Sequence, residues 1–598
     1  MTLRQQLLTL ETSGLIAVAA TQPELEYLFR HALIHDAAYA SLVKFDRVQL
    51  HRIVGEALEQ LYPDQAASQQ LAPQLAEHFH QAGDDLRALK YFTLAGDAAA
   101  RVYANAEARL HYTRALEIAR RLAEPTSLPG EMSLQRLYIR RGRILELSGR
   151  YDEAVANYIE MENMARERGD RALELAALMA RATVYAAPTS VHDASQSQAL
   201  CEGALALARS LDDRAAEAKI LWTLALSHRV LGQLDKSLQY AEQSLALARA
   251  LDLREQIAYT LTDSYAAYMV SGQAERGRAA LEEATALWRE LGNQHMLTDT
   301  LTGLAGMYIL AGQFEQGLAL TAEARRISLQ TGNAWGRAYS QYAACRAHLV
   351  LGDMAQAIAA MEECIHYADE AGFGNGIVEA RCHLAELYGS LGGVERGMRL
   401  AREADAITSE RFPAWRAISL STLAYLYLYA GDLAAAEEAV QAAFAHLGPD
   451  MAKAGAAAFV APVATELALA QGDGARALAL AERSLGVVRG IGARTFVATG
   501  LFYKGRAQQL LGQSEEAATL LNEARAEAKA LGTRRILWPI LAALSVLAAE
   551  RGNAPDAQML RQQAREVITY IADHCPPDLQ DSFLHLPEVR AVLNSIQD

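Results

Sequence analysis

Residues 265–277 read Tyr-Ala-Ala-Tyr-Met-Val-Ser-Gly-Gln-Ala-Glu-Arg-Gly. Residues 305–317, forty positions on, read Ala-Gly-Met-Tyr-Ile-Leu-Ala-Gly-Gln-Phe-Glu-Gln-Gly. The glycine shared at 272 and 312 belongs to a longer series: Gly232, Gly272, Gly312, Gly352, Gly392, Gly431, Gly472, Gly512 and Gly552. Its gaps are 40, 40, 40, 40, 39, 41, 40 and 40, and Gly149 lies 83 before the first member. A near-constant interval of this size marks a repeat architecture.

A second series, Gly292, Gly332, Gly372, Gly492 and Gly532, falls between members of the first. The intervening sequence is rich in Ala, Leu, Glu and Arg, which favour helix. A Gly just past a helix is a common stop, because it tolerates positive φ. Each unit therefore reads as helix, turn, helix, turn. Seven residues before the marker Gly sit small residues such as Ala305, Cys345, Ala385 and Gly505, with Tyr265 the exception. Five after it sit Gly277, Gly317, Ala357 and Gly397; twelve after it, Ala284, Ala324, Cys364 and Ala404. Small residues at fixed helical positions let neighbouring helices approach closely. A ring recurs four before the marker, as His228, Tyr268, Tyr308, His348, Tyr388 and Tyr427.

This pattern resembles the tetratricopeptide repeat, in the longer-helix form found in bacterial signal-transduction regulators. The resemblance implies an all-α superhelix (an α-solenoid) of about eleven or twelve helical pairs, right-handed, each repeat touching only its neighbours.

The N-terminal residues lie outside the rhythm. Leu3 onward reads as a helix ending at Gly14, then a strand over Leu15–Ala19, with Glu26–Phe29 able to pair with it. Helix, strand, strand is the back half of a winged helix. The run Phe29-Arg30-His31-Ala32-Leu33-Ile34-His35-Asp36-Ala37-Ala38-Tyr39 is similar to a junction in bacterial regulatory ATPases of the signal-transduction class. Relatives of that class include maltose-regulator-like activators and cyclase-linked repeat proteins. The run Phe583–Leu593 resembles the end of such proteins. The expected organisation is a partial winged helix over 1–30, a helical linker over 31–69, irregular first repeats over 70–130, a regular array over 131–570 and a helical cap over 571–598. Within the array, Pro188-Thr189-Ser190 predicts a helical pair with a lengthened loop.

The chain departs from that class in having no G-x-x-x-x-G-K-[ST] motif and no Gly-Lys pair. Without a phosphate-cradling loop, the ATP chemistry of such regulators has no seat. The expectation is a gene that retains only the sensor half, or a piece of a longer chain. Metals, cofactors and catalysis are not expected. His31 and His35 stand four apart beside Asp36, but the glutamate of HExxH is missing, and His78 and His80 point to different helix faces.

Net charge is −15 over 598 residues. This argues against nucleic-acid binding through a basic surface. Arginines number 49 and lysines 7, which reads as codon bias. Five cysteines without a CxxC pair read as buried free thiols suited to a reducing cytosol. The most apolar run, Ala454–Ala470, is too short to span a membrane comfortably. A cytoplasmic protein without membrane contact is expected, with a homo-oligomer among its allowed states.

Groove geometry implied by the resemblance puts residues 13, 10, 6 and 3 before each marker on the concave face. These include Lys219, Trp222, Arg229, Tyr259, Met269, Asp299, Tyr339, Tyr342, Arg346, Glu379, Glu386, Tyr425, Phe459, Glu466, Phe502 and Arg506. Aromatics and Arg are enriched at binding hot spots. Trp222, Tyr259, Tyr342 and Arg346, with Glu386 nearby, form the expected cluster. Its occupant would be a protein or peptide partner, or a small acidic effector. The expected function is the sensor arm of a signal-transduction regulator, or else a free-standing scaffold.

Overall fold

The computed structural model describes residues 2–20, 26–63, 70–122, 130–187, 189–447 and 460–594. Pro188, Ala454–Phe459 and the end of the expected cap therefore lie outside the described residues. Two compact units divide the chain, Met1–Leu145 and Glu146–Asp598.

The first unit opens with the helix Leu3–Thr12 and an antiparallel hairpin, Ile16–Ala20 against Glu26–Phe29. Gly14, at φ +73°, makes the turn between them. Helices Ala32–Ser41, Lys44–Leu61, Ala72–Gln81, Asp85–Arg101 and Asn105–Arg121 follow. His31 is the extended residue before the Ala32 helix, so it shares no helical face with His35. His78 instead meets His51, Nδ1 to Nδ1 at 3.0 Å.

From Arg171 onward the described residues form ten helical pairs, ending with Arg534–Glu550 and Ala554–Asp573. Two short helices, Pro577–Leu584 and Pro587–Leu593, follow. The pair around the Pro188 loop is Arg171–Ala186 and Ala194–Ser210. Helix starts are capped by Asp or Asn side chains that accept a backbone N–H three residues on, as at Asp213, Asn293, Asn333 and Asp473. The small columns are the hairpin seams: Ala305, Ala324, Ala357, Ala385 and Ala404 are fully buried. A Cβ on Gly397 would stand 2.5 Å from the Ala385 carbonyl oxygen, so only Gly fits that approach.

The recurring ring packs between repeats. Tyr388 lies under Arg396, 4.0 Å from guanidinium to ring centre, and donates to Glu362 of the preceding repeat at 2.8 Å. On the exposed second helices an Arg reaches the Glu 34 residues on, in Arg249–Glu283, Arg289–Glu323 and Arg489–Glu523. The Arg249 pair closes on both carboxylate oxygens, at 2.8 and 2.9 Å. Arg suits that two-oxygen geometry better than Lys. The arginine excess thus has a structural use that codon bias alone does not express. Each such exposed pair contributes about 0.2–1 kcal/mol.

One expectation fails in the second unit: repeats do not touch only their neighbours. Arg534 Nη1 donates to the Leu351 carbonyl, 183 residues earlier, at 3.1 Å. Tyr570 donates to Asp353, 217 residues earlier, at 2.9 Å. Arg396 and Asp578 pair at 3.2 Å across 182 residues. About five forty-residue repeats complete one superhelical turn, and successive turns meet edge to edge. The physical reason is at the marker turns: a Cβ on Gly312 would stand 2.5 Å from Leu531, and one on Gly352 3.1 Å from Ile571.

Candidate functional site: the inner wall of the second unit

The first helix of each pair faces inward. Its side chains meet those of the next first helix through aromatic-to-carboxylate hydrogen bonds. Trp222 Nε1 donates to Asp263 Oδ2 at 2.8 Å, and the Tyr342 hydroxyl donates to Glu379 at 2.5 Å. The Tyr503 hydroxyl donates to Glu466. Tyr265 and Tyr339, two repeats apart, bring their hydroxyls within 3.3 Å. Arg535 reaches Glu386, 149 residues earlier, at 3.2 Å. The wall therefore curves tightly, and its side chains are half-buried yet surrounded by protein.

The sequence-expected residues fall into two groups rather than one cluster. Trp222 is buried, 6% exposed, and packs on Ala186, Leu226 and the Tyr259 ring, 5.3 Å away. Tyr259 in turn meets Trp288 edge-on at 4.8 Å. The second group holds Tyr339, Tyr342, Arg346, Glu379 and Glu386. Arg346 lies 5.9 Å from the Phe496 ring of the next superhelical turn. Tyr425 faces the same interior from the helix Arg416–Tyr429. Lys219 is exposed and Met269 buried. Phe459 lies outside the described residues.

Sequence reasoning misses Asp263, Tyr265, His383, Tyr429, Tyr503 and Arg535. Three of these, Asp263, His383 and Tyr503, share the column nine before the marker. That column elsewhere holds residues such as Thr223, Gly303, Ala343 and Val463. A polar or aromatic break in an otherwise small or apolar column was the available signal.

Electrostatics single out two acids. Burial first, then the neighbouring Asp263 charge, pushes the Asp299 carboxyl up to about 7 against a hydrogen bond from Trp335. Burial likewise pushes Glu466 up to about 7; the Tyr503 hydrogen bond opposes this and the Glu386 charge adds to it. Burial also raises Asp263 and lowers His383. Arg506, with its Nε buried and unbonded, is pushed down by burial alone. The five cysteines are buried and free; burial raises Cys345 and Cys382 to about 12, so both stay thiols near neutral pH. Among the described residues no group of three or more His, Cys, Asp or Glu is placed to hold a metal ion. No described helix is long and apolar enough to cross a membrane.

Helical pairs stacked on small-residue seams around a polar inner wall define an α-solenoid of the tetratricopeptide class. No protein-family profile and no curated protein matches the chain. Solved structures do. A Rap protein complexed with competence and sporulation factor is similar at 13% identity, over 60% of this chain and 98% of that one, with a TM-score of 0.47. A signal-transduction ATPase with a tetratricopeptide repeat sensor, from Pyrococcus horikoshii, is similar at 14% identity over 73% of this chain, with a TM-score of 0.40; this chain covers 57% of that one. The Cut9–Hcn1 hetero-tetramer of the APC/C is similar at 12% identity over 83% and 96%, with a TM-score of 0.30.

Proposed function

We propose that the chain is a non-catalytic binding arm of a bacterial signal-transduction regulator, which holds a protein or peptide partner against the inner wall of its second unit. The observation that carries this reading is the contrast between the two faces. The outer helices spend their charges on one another in ion-pair ladders. The inner helices carry half-buried aromatic and charged groups from successive repeats, a surface type enriched in binding hot spots. In the regulatory ATPases that the sequence resembles, such an arm governs an ATPase switch. A free-standing scaffold would use the same wall without that switch. A small acidic effector is the second reading, favoured by Arg346 and Arg506, which form no ion pair among the described residues.

The test is site-specific photo-crosslinking in cells. A crosslinking residue at Tyr425 is expected to trap one partner, and the trap to disappear with Tyr342→Ala plus Arg346→Ala in a chain that keeps its helicity. Equal trapping from Glu283 on the outer face would overturn the inner-wall reading. A reading frame beside the gene that encodes the missing phosphate-loop ATPase would favour the regulator over the scaffold.

A further inference from the structure

Consecutive helices of the second unit run antiparallel, so its turns lie on two edges. The marker turns, between the two helices of a pair, form one edge. The exit turns, between one pair and the next, form the other. Where successive superhelical turns meet, a marker turn packs against an exit turn. A Cβ on Gly312 would stand 2.5 Å from Leu531, one on Gly352 3.1 Å from Ile571, and one on Gly272 3.3 Å from the Gly490 carbonyl oxygen. Arg534, three residues beyond Leu531, donates across this seam to the Leu351 carbonyl at 3.1 Å.

Two of the exit turns in the seam carry an aliphatic residue followed three positions later by Arg: Ile491-Gly492-Ala493-Arg494 and Leu531-Gly532-Thr533-Arg534. The same spacing recurs, whole repeats earlier, at Leu211-Asp212-Asp213-Arg214 and Leu251-Asp252-Leu253-Arg254. The turns have one shape. Asp212 and Asp252 hold φ of 55° and 53°, where Gly492 and Gly532 hold 69° and 68°. Their surroundings differ. Ile491 and Leu531 are half-buried and Ile571 is buried, whereas Leu211, Leu251 and Leu291 are 41, 42 and 40% exposed. On the opposite edge, Gly472, Gly512 and Gly552 have nothing among the described residues within 4 Å of an added Cβ. Leu510 and Leu511, beside Gly512, are exposed as well. The first superhelical turn thus ends on open exit turns and the last on open marker turns. These are the two kinds of surface that pack together inside the chain.

We infer that a second copy of this chain continues the stack, with its exit turns at Leu211, Leu251 and Leu291 seated on the marker turns around Gly472, Gly512 and Gly552. Both edges repeat every forty residues, so one placement brings three leucines over three marker turns. Arg214 and Arg254 then stand where Arg534 stands in the seam, within reach of the carbonyl ends of the facing helices. Like edges do not meet in the seam, so the contact joins unlike edges. Such a head-to-tail contact closes into a ring or runs on as a filament. Between copies it lacks the shared chain that raises effective concentration, so it is weaker than the internal seam. It is independent of the inner-wall reading, because the edges lie outside that wall.

The test is sedimentation velocity of the full chain from about 1 to 100 µM, the range suited to a contact of modest affinity. Oligomers that grow with concentration are expected. Leu251→Arg with Leu291→Arg on the exit edge, or Leu510→Arg with Leu511→Arg on the marker edge, should each weaken assembly at least tenfold. Mixed together, the two variants should form a dimer and nothing larger, because each keeps the edge that the other has lost. All four leucines are exposed, and circular dichroism melts check that the variants fold; Leu→Gln at the same positions replaces any variant that melts early. A parent chain that stays monomeric throughout would overturn the inference, and so would assembly that neither pair of substitutions weakens. Loss with only one pair, or a mixture that stays monomeric, would reveal a like-edge or unrelated contact and overturn head-to-tail stacking.

Discussion

The Thr495 hydroxyl is shared between the carbonyls of Ile309 and Leu310, at 2.5 and 3.0 Å, across 186 and 185 residues. Thr495 lies in the short turn Arg494–Phe496, and Leu310 ends the helix Gln294–Leu310. One superhelical turn thus satisfies the open carbonyl end of a helix in the turn before it. Repeats far apart in sequence become partners in stability. Thr495→Val should cost about 0.5–1.5 kcal/mol, the usual net value of one such bond. Hydrogen exchange should quicken at both 309–313 and 494–496. A change confined to 494–496 would show that the edges touch without coupling.

How much of this was legible in the sequence differs between features. The helix-turn-helix period and the hairpin seams were legible, because Gly312 and Ala305 recur at fixed local offsets. The edge contacts were not. Gly312 needs its positive φ, and that need alone accounts for a glycine there, so Leu531 leaves no trace in the pattern. On the inner wall, Tyr342 and Glu386 were legible from groove geometry. Arg535 was not, since it sits 17 before its marker and reaches Glu386 only through superhelical closure.

Two glycines separate close packing from mere conformational freedom. Gly397 touches the Ala385 carbonyl region, and Gly397→Ala should cost about 1–3 kcal/mol, because backbone must move. Gly306 lies inside a helix with nothing within 4 Å of an added Cβ. Gly306→Ala should therefore stabilise by about 0.5–1 kcal/mol. Thermal melts of the two variants shifting in the same direction would show that the seam register is wrong.

His51 and His78 form a proton-sensitive contact in the first unit. Burial lowers the pKa of both; Glu77 opposes this for each, and His51 adds to it for His78. The Tyr39 hydroxyl, 2.9 Å from His51 Nε2, occupies the other ring nitrogen. A histidine with a depressed folded pKa binds fewer protons folded than unfolded. Stability is then full above the ordinary value near 6.5 and declines as pH falls below it. The protection of Lys44–Leu61 and Ala72–Gln81 against hydrogen exchange, relative to the intrinsic rate at each pH, should decline as pH falls below about 6.5, and His78→Gln should flatten that response. An unchanged pH response in the variant would place the acid sensitivity elsewhere.

Asp299 should make the second unit less stable as the solution becomes more alkaline. Its carboxyl sits near 7 when folded, against an ordinary value of 3.8. Between those values the folded protein holds a proton that the unfolded chain has released. The contribution is therefore complete below about pH 4 and lost as pH rises through 7. Above pH 7 the folded state carries a desolvated charge beside Asp263, with Arg229 influencing Asp263 and Trp335 the donor to Asp299. Asp299→Asn keeps an acceptor for Trp335 and removes the charge. At pH 8 it should raise stability by about 1–3 kcal/mol, allowing for partial solvent access. At pH 4 the two proteins should melt together. Asp299→Asn less stable than the parent at pH 8 would mean that the acid already has its cation within the fold.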